Sequence, residues 1–230
     1  MNKKRITLII ALIIGSPIIA YITLSFFGIL KIYSNPSTAN EPNLKINSKM
    51  FVSNLITPEI GDFICFDYYD EMYDFGRFIK VNRLCAMEHD TIEIRDGIVY
   101  LNNINIDKKL NLNHFYKLDP IEFSKLKKEG KIMDAVDFWQ MADGQYMTSI
   151  EDRVAKNYEF ESKRVFELKG QTNDQVYKVF NENWNKDNLG PLIIPENKFF
   201  VLGDNRDNSI DSRITGLHDV SDIIGVVVGK

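Results

Sequence analysis

Cysteine and histidine are scarce in this chain of 230 residues. Its two cysteines, Cys65 and Cys85, make no disulfide framework, although an oxidising compartment would permit one bridge between them. Neither lies near a histidine in a nucleophile pattern, and buried small hydrophobes are their default reading. Three histidines, widely spaced, give no metal-ligand pattern, so no metal is expected. Positive charge is also short. The formal net charge is −4, and residues 1–31 carry four basic and no acidic side chains, leaving −8 on the remainder. That balance argues against nucleic acid or anionic lipid as the main partner. There is no internal repeat and no low-complexity segment. With 44% hydrophobic residues the chain can bury one sizeable core, or one core and an insert.

What is present begins with a charge-free run, Ile6 to Leu30, behind Lys3, Lys4 and Arg5. As a helix it would reach ~37 Å, enough for a ~30 Å hydrocarbon layer with some tilt. Gly15 and Pro17 fall mid-run, which membrane helices tolerate. A cleaved leader is the rival reading, but its apolar part is shorter and ends in small residues, whereas this run closes with Phe26, Phe27 and Leu30. An uncleaved anchor in the cell (inner) membrane is expected. The basic tip favours a cytoplasmic N-terminus, with residues 32–230 on the periplasmic or extracellular face.

Residues 32–43, polar and holding two prolines, read as a short tether. From Leu44 to about Ile106 the text reads as strands: FICF, RFIKVNRLCAM, TIEI and IVYL are β-branched or aromatic runs bounded by turn residues. Asp96-Gly97 signals a hairpin between the last two. Residues 107–190 read as helical, with Asp119-Pro120 and Glu122 as a helix start, Thr172 to Gln175 as a capping box, and Gly170 and Gly190 as helix ends. Strands return over 191–230. The expected architecture is mainly β, a core from 44–106 and 191–230 interrupted by a helical insertion and preceded by one transmembrane helix.

The stretch FVLGDNRDNSIDSR, Phe200 to Arg213, carries the densest chemistry. Gly203 ends a hydrophobic run, and Asn205, Asp207 and Asn208 favour a turn. Ser209, Asp211 and Arg213 are two apart, so an extended backbone would put them on one face, with Asp211 and Arg213 as a charge-assisted pair. Chemistry alone leaves two readings open, a solvated turn or one wall of an active site. The acidic run Asp67, Asp70, Glu71 and Asp74 lacks the spacing of a calcium loop and reads as a solvated loop.

GDNRDNSIDSR closely resembles the C-terminal signature of type I signal peptidases, membrane-anchored serine proteases that remove leader peptides from exported proteins. PENKFFVLGDN resembles the strand leading in, and ITGLHDVSDIIGVVVG the strand leading out. RLCAMEHDTIEIRDGIVYLNN resembles the family's segment with a basic pair and a Gly-Asp-type turn. The compressed region around GDFICF and RLCAMEHD is most similar to the conjugative-transfer branch, which processes pilus subunits. The resemblance implies a two-sheet β-fold, no cofactor, and an exported preprotein or leader peptide as substrate, bound in extended form.

It also implies a Ser-Lys dyad, in which a serine hydroxyl attacks the scissile carbonyl and a desolvated, neutral lysine takes its proton. Ser209 would orient that lysine. Asp211 and Arg213 would brace the site, with Gly203, Asp204, Asn205, Arg206 and Ser212 of the same signature in support. The family's serine is normally followed by methionine, then by a proline and often a threonine. Ser53, eight residues before Gly61 and with Thr57 following, is the first candidate, though Asn54 and Ile56 replace the methionine and proline. Ser48 is its rival, and a second alignment leaves Phe51 at the position. The lysine position falls on Asn82, which cannot act as a base, so Lys80, two residues earlier on the same strand face, is the candidate replacement. The expected function is therefore a membrane-anchored serine endopeptidase of signal peptidase I type that cleaves leaders from exported, pilus- or conjugation-related preproteins; the alternative is a catalytically impaired protein of the same fold that binds or assembles exported partners without cutting.

Overall fold

The computed structural model describes residues 3–70, 76–132 and 138–229; Glu71 and Asp74 of the acidic run lie outside them. The chain runs through α1 (Lys3–Phe26), β1 (Lys31–Ser34), β2 (Lys49–Ser53), β3 (Phe63–Asp70), β4 (Gly76–Met87), β5 (Thr91–Arg95), β6 (Ile98–Leu101), β7 (Ile104–Asn105) and β8 (Asn113–Leu118). It continues with α2 (Pro120–Lys128), β9 (Phe138–Gln140), β10 (Tyr146–Glu151), α3 (Asp152–Asn157), α4 (Asp174–Phe180), β11 (Leu189–Ile193), β12 (Lys198–Leu202), α5 (Ser212–Thr215), β13 (His218–Asp219) and β14 (Ile223–Gly229).

Strand alternation builds the core. A seven-stranded sheet has the order β1-β2-β14-β3-β4-β12-β13, and a four-stranded sheet the order β11-β5-β6-β7. On β12, Phe200 and Leu202 pack with Cys85, Ile92, Ile94 and Val99 between the two sheets, while Phe199 and Val201 pack on the other side with Ile64, Phe66 and Val226. Both faces of β12 are thus apolar, which is why KFFVL reads as one continuous hydrophobic run. Each of these buried rings contributes ~2–3 kcal/mol by leaving water. Both cysteines are buried and free, and burial pushes each thiol up to about 12, so neither is a ready nucleophile.

Two stretches differ from expectation. The insertion has helices α2, α3 and α4, and also a third sheet, β8-β10-β9. Its β9–β10 hairpin turns at Asp143-Gly144, with Gly144 at φ 82°, a short signal overlooked beside the stronger helix caps. The stretch expected as a tether is packed into the body. β1 pairs with β2, and Asn35 and Asn40 are fully buried. Their amide nitrogens are bonded, Asn35 Nδ2 donating to the Lys45 carbonyl at 2.9 Å and Asn40 Nδ2 to the Val81 carbonyl at 2.7 Å.

Candidate functional site

At the end of β12 the chain leaves the sheet at Gly203, and the polar run that follows folds back on it. Three arginine–carboxylate pairs fix this loop, two of them buried and the third, Arg206 with Asp107, nearly so. Asp204 receives Arg83 from β4, with Nε on Oδ1 at 2.7 Å and Nη2 on Oδ2. Arg206 reaches Asp107 with two bonds of 2.8 and 2.6 Å. Arg213 grips Asp211, Nε to Oδ1 at 2.9 Å and Nη2 to Oδ2 at 2.8 Å. Planar guanidinium forks of this kind set geometry as well as charge. Burial pushes the Asp211 carboxyl up, but Arg213 and the N–H groups of Gly203 and Arg213 outweigh it and hold it below the usual carboxylate range. Ser212 Oγ accepts from the Val201 N–H at 2.9 Å, tying α5 back to β12. The insertion grips the same loop, through Phe115 N–H to Asp207 at 2.8 Å and Ser149 Oγ to Asn205 Oδ1 at 2.8 Å.

These braces hold Ser209 beside β4. Asn82 and Lys80 share one face of that strand, as a two-residue spacing requires. The Asn82 carboxamide meets Ser209, Nδ2 to Oγ at 3.5 Å, with Asn82 only 2% exposed. Lys80 Nζ donates to the Ile210 carbonyl at 2.8 Å and lies 4.3 Å from the centre of the Tyr68 ring. Lys80, Asn82, Ser209 and Ile210 border a cavity of about 570 Å³ that Pro36 to Ala39 also line.

The two serine candidates lie elsewhere. Ser53 ends β2, buried, and its Oγ accepts from the Leu55 N–H at 3.2 Å. It does not border the cavity. Ser53 pairs with Val226, Val226 with Ile64, and Ile64 with Asn82, so three strand steps separate Ser53 from Asn82. At ~4.8 Å per step this is ~14 Å along the sheet. Ser48 is on the surface, its Oγ donating to the Lys45 carbonyl at 2.6 Å. Gly203, Asp204, Asn205, Arg206, Asp211, Ser212 and Arg213 are brought together around Ser209, while Ser53 and Ser48 are not. Asp107 and the segment Pro36 to Asn40 were missed from sequence. The segment's prolines and polar residues passed for a linker, and its tie to the motif spans some 165 positions of chain.

The family described as "Signal peptidase, peptidase S26" matches residues 5–229. A protein named Signal peptidase I from Buchnera aphidicola subsp. Baizongia pistaciae is 29% identical over 194 residues, covering 77% of this chain and 58% of its own length. Signal peptidase I of Aquifex aeolicus is 27% identical over 194 residues, covering 82% and 70% respectively. Signal peptidase I P of Bacillus subtilis subsp. natto is 40% identical over 86 residues, covering 28% of this chain and 46% of that one. The chain thus spans about half the length of the Buchnera and natto relatives, 58% and 46% respectively. Among solved structures, a signal peptidase I from Enterococcus faecalis V583 overlaps with a TM-score of 0.37 at 17% identity, covering 75% of this chain and 98% of that one.

Proposed function

The chain belongs to the signal peptidase family, peptidase S26, and from that premise we propose that it recognises the leader segments of exported preproteins at the membrane and holds them without cutting them. One observation carries the reading: the group that meets Ser209 is the carboxamide of Asn82. A carboxamide nitrogen has its lone pair delocalised and cannot take a proton from a serine, so the site beside Ser209 has a hydrogen-bonding group where Ser-Lys chemistry needs a base. An extended leader lying along β4 would find apolar walls in Phe78, Val81 and Ile210 and amide partners in the backbone. Helix α1 serves as the anchor, and no cofactor enters.

A second reading is a membrane-anchored serine endopeptidase using Ser53, with Lys80 as base and Ser209 as its guide. The Lys80 ammonium at the Ile210 carbonyl, one residue past Ser209, favours it; the distance to Ser53 opposes it. Processing of pilus or conjugation-related preproteins is the narrower form of this reading. Incubating the detergent-solubilised full chain with a panel of leader peptides decides between the two. Binding without cleavage is the expected result. Cleavage that disappears in Ser53→Ala and in Lys80→Ala, with Ser48→Ala unaffected, would establish the endopeptidase instead.

A further inference from the structure

We infer that Ala39 occupies the seat from which a nucleophile would act on a chain bound in this cavity, so that the site lacks both members of a Ser-Lys pair, at positions 39 and 82, and needs only those two side chains to cut. The inference deepens the recognition reading above and rests on it. Position 39 is tied to the site from two sides. The Asn205 N–H donates to the Ala39 carbonyl at 3.0 Å, and Asn205 Nδ2 to the Thr38 carbonyl at 3.2 Å, joining this segment to the loop that carries Ser209. From the next residue, Asn40 Nδ2 donates to the Val81 carbonyl at 2.7 Å, directly before Asn82. The contact is close. A Cβ added to Gly203 would stand 2.2 Å from Ser209 Oγ and 2.4 Å from the Ala39 carbonyl oxygen, so both atoms crowd the same side of that glycine.

Position 39 therefore lies between Ser209 and the strand bearing Asn82, and its side chain there is a methyl group with no proton to give. The neighbouring hydroxyls are already engaged: Ser37 Oγ accepts from the Ala39 N–H at 3.1 Å, and Thr38 Oγ1 from Asn208 Nδ2 at 3.2 Å. The sequence agrees with the geometry. Ala39-Asn40-Glu41-Pro42-Asn43 keeps the proline that follows the family's serine, with alanine at the serine, and asparagine at both the methionine and the threonine.

With Ala39→Ser and Asn82→Lys together, the introduced hydroxyl attacks a carbonyl carbon of the bound leader while its proton passes to the introduced amine. A C–O bond forms, the C–N bond breaks, and the proton moves on to the departing amine. Water then opens the ester, releasing the acyl part as a carboxylate and restoring the hydroxyl.

The test uses the full detergent-solubilised chain and a leader peptide with a fluorescent reporter across the cut, with binding measured beside cleavage. The double variant is expected to cleave at least ~100-fold faster than the unmodified chain, and to keep that activity when Ser53→Ala is added. Binding by a double variant that does not cut overturns the inference and leaves recognition standing. Cleavage that disappears with Ser53→Ala also overturns it. An unmodified chain that binds no leader sinks both. Ala39→Cys guards against a double variant that fails to fold. A leader peptide ending in a haloacetyl group is expected to alkylate that thiol, read as an adduct at position 39 by mass spectrometry, against a quiet background from buried Cys65 and Cys85. No adduct at position 39 would refute the placement.

Discussion

His218 stands among three rings, its centroid 4.8 Å from Phe66, 5.4 Å from Phe199 and 5.7 Å from Tyr68, with Nε2 3.0 Å from Thr215 Oγ1. Burial first, then the positive charges of Lys80 and Lys198, push its pKa down to about 4 from an ordinary 6.5. The folded imidazole is neutral across that window while the unfolded one binds a proton. Stability from this residue is therefore complete above pH 6.5 and lost as pH falls toward 4. Urea titrations between pH 7 and 4.5 are expected to show this loss, and His218→Phe to flatten it; an unchanged slope would place the acid sensitivity elsewhere. Asp211 acts at lower pH with the same sign. Its carboxyl is held below the usual 3.8, so its contribution is present above that value and disappears as pH drops beneath it. Asp204 is a third case. Removing it with Asp204→Ala leaves the buried Arg83 guanidinium unpaired, and a cost of ~3–5 kcal/mol is expected in the same titration. At this scale the sequence showed the signature residues as a group, because they are contiguous. Asp107 was invisible because nothing in its immediate neighbours reports a contact 99 positions away, and at Ala39 the local signal is reduced to Pro42, since alanine and asparagine stand where serine, methionine and threonine would mark the pattern.

Elements were legible in proportion to how local their signals are. Asp96-Gly97 turns the β5–β6 hairpin with φ 48° and 70°, as its dipeptide predicts. Asp119 caps α2, accepting from Ile121 and Glu122 at 2.8 and 2.9 Å, while Glu122 reaches back to complete the box. The cap of α4 is Asn173, one residue past the expected Thr172, because its Oδ1 reaches the Gln175 and Val176 N–H groups. The β8-β10-β9 sheet escaped because its pairing depends on tertiary context more than on composition. The contrast between a local element and one that shapes the site gives a paired prediction. Asp119→Ala is expected to cost ~1 kcal/mol of stability and leave leader binding unchanged, since α2 does not border the cavity. Gly203→Ala would drive a methyl into the Ser209 side chain and the Ala39 backbone at the end of β12, costing ~1–3 kcal/mol and abolishing binding. Equal binding by both variants would show that the β12 turn does not shape the binding cavity.

For the whole molecule, the anchor and the body act as one piece. Helix α1 has 24 residues, ~36 Å of length, and is long and apolar enough to cross a membrane. Four residues after it ends, β1 is already paired in the seven-stranded sheet, and Asn54 secures the junction through its N–H to the Gly28 carbonyl and its Nδ2 to the Phe27 carbonyl. A flexible tether would let the body move freely about the end of α1; this connection ties the two together. Orientation then decides whether the cavity meets exported chains at all. Lys3, Lys4 and Arg5 stand at one end of α1 and the single Lys31 at the other, a bias that favours a cytoplasmic side for the larger cluster. Protease added to intact spheroplasts is expected to digest residues 32–230 while leaving a fragment containing α1. Protection of the whole body until the membrane is breached would reverse the topology, and with it the access to leaders on which recognition depends.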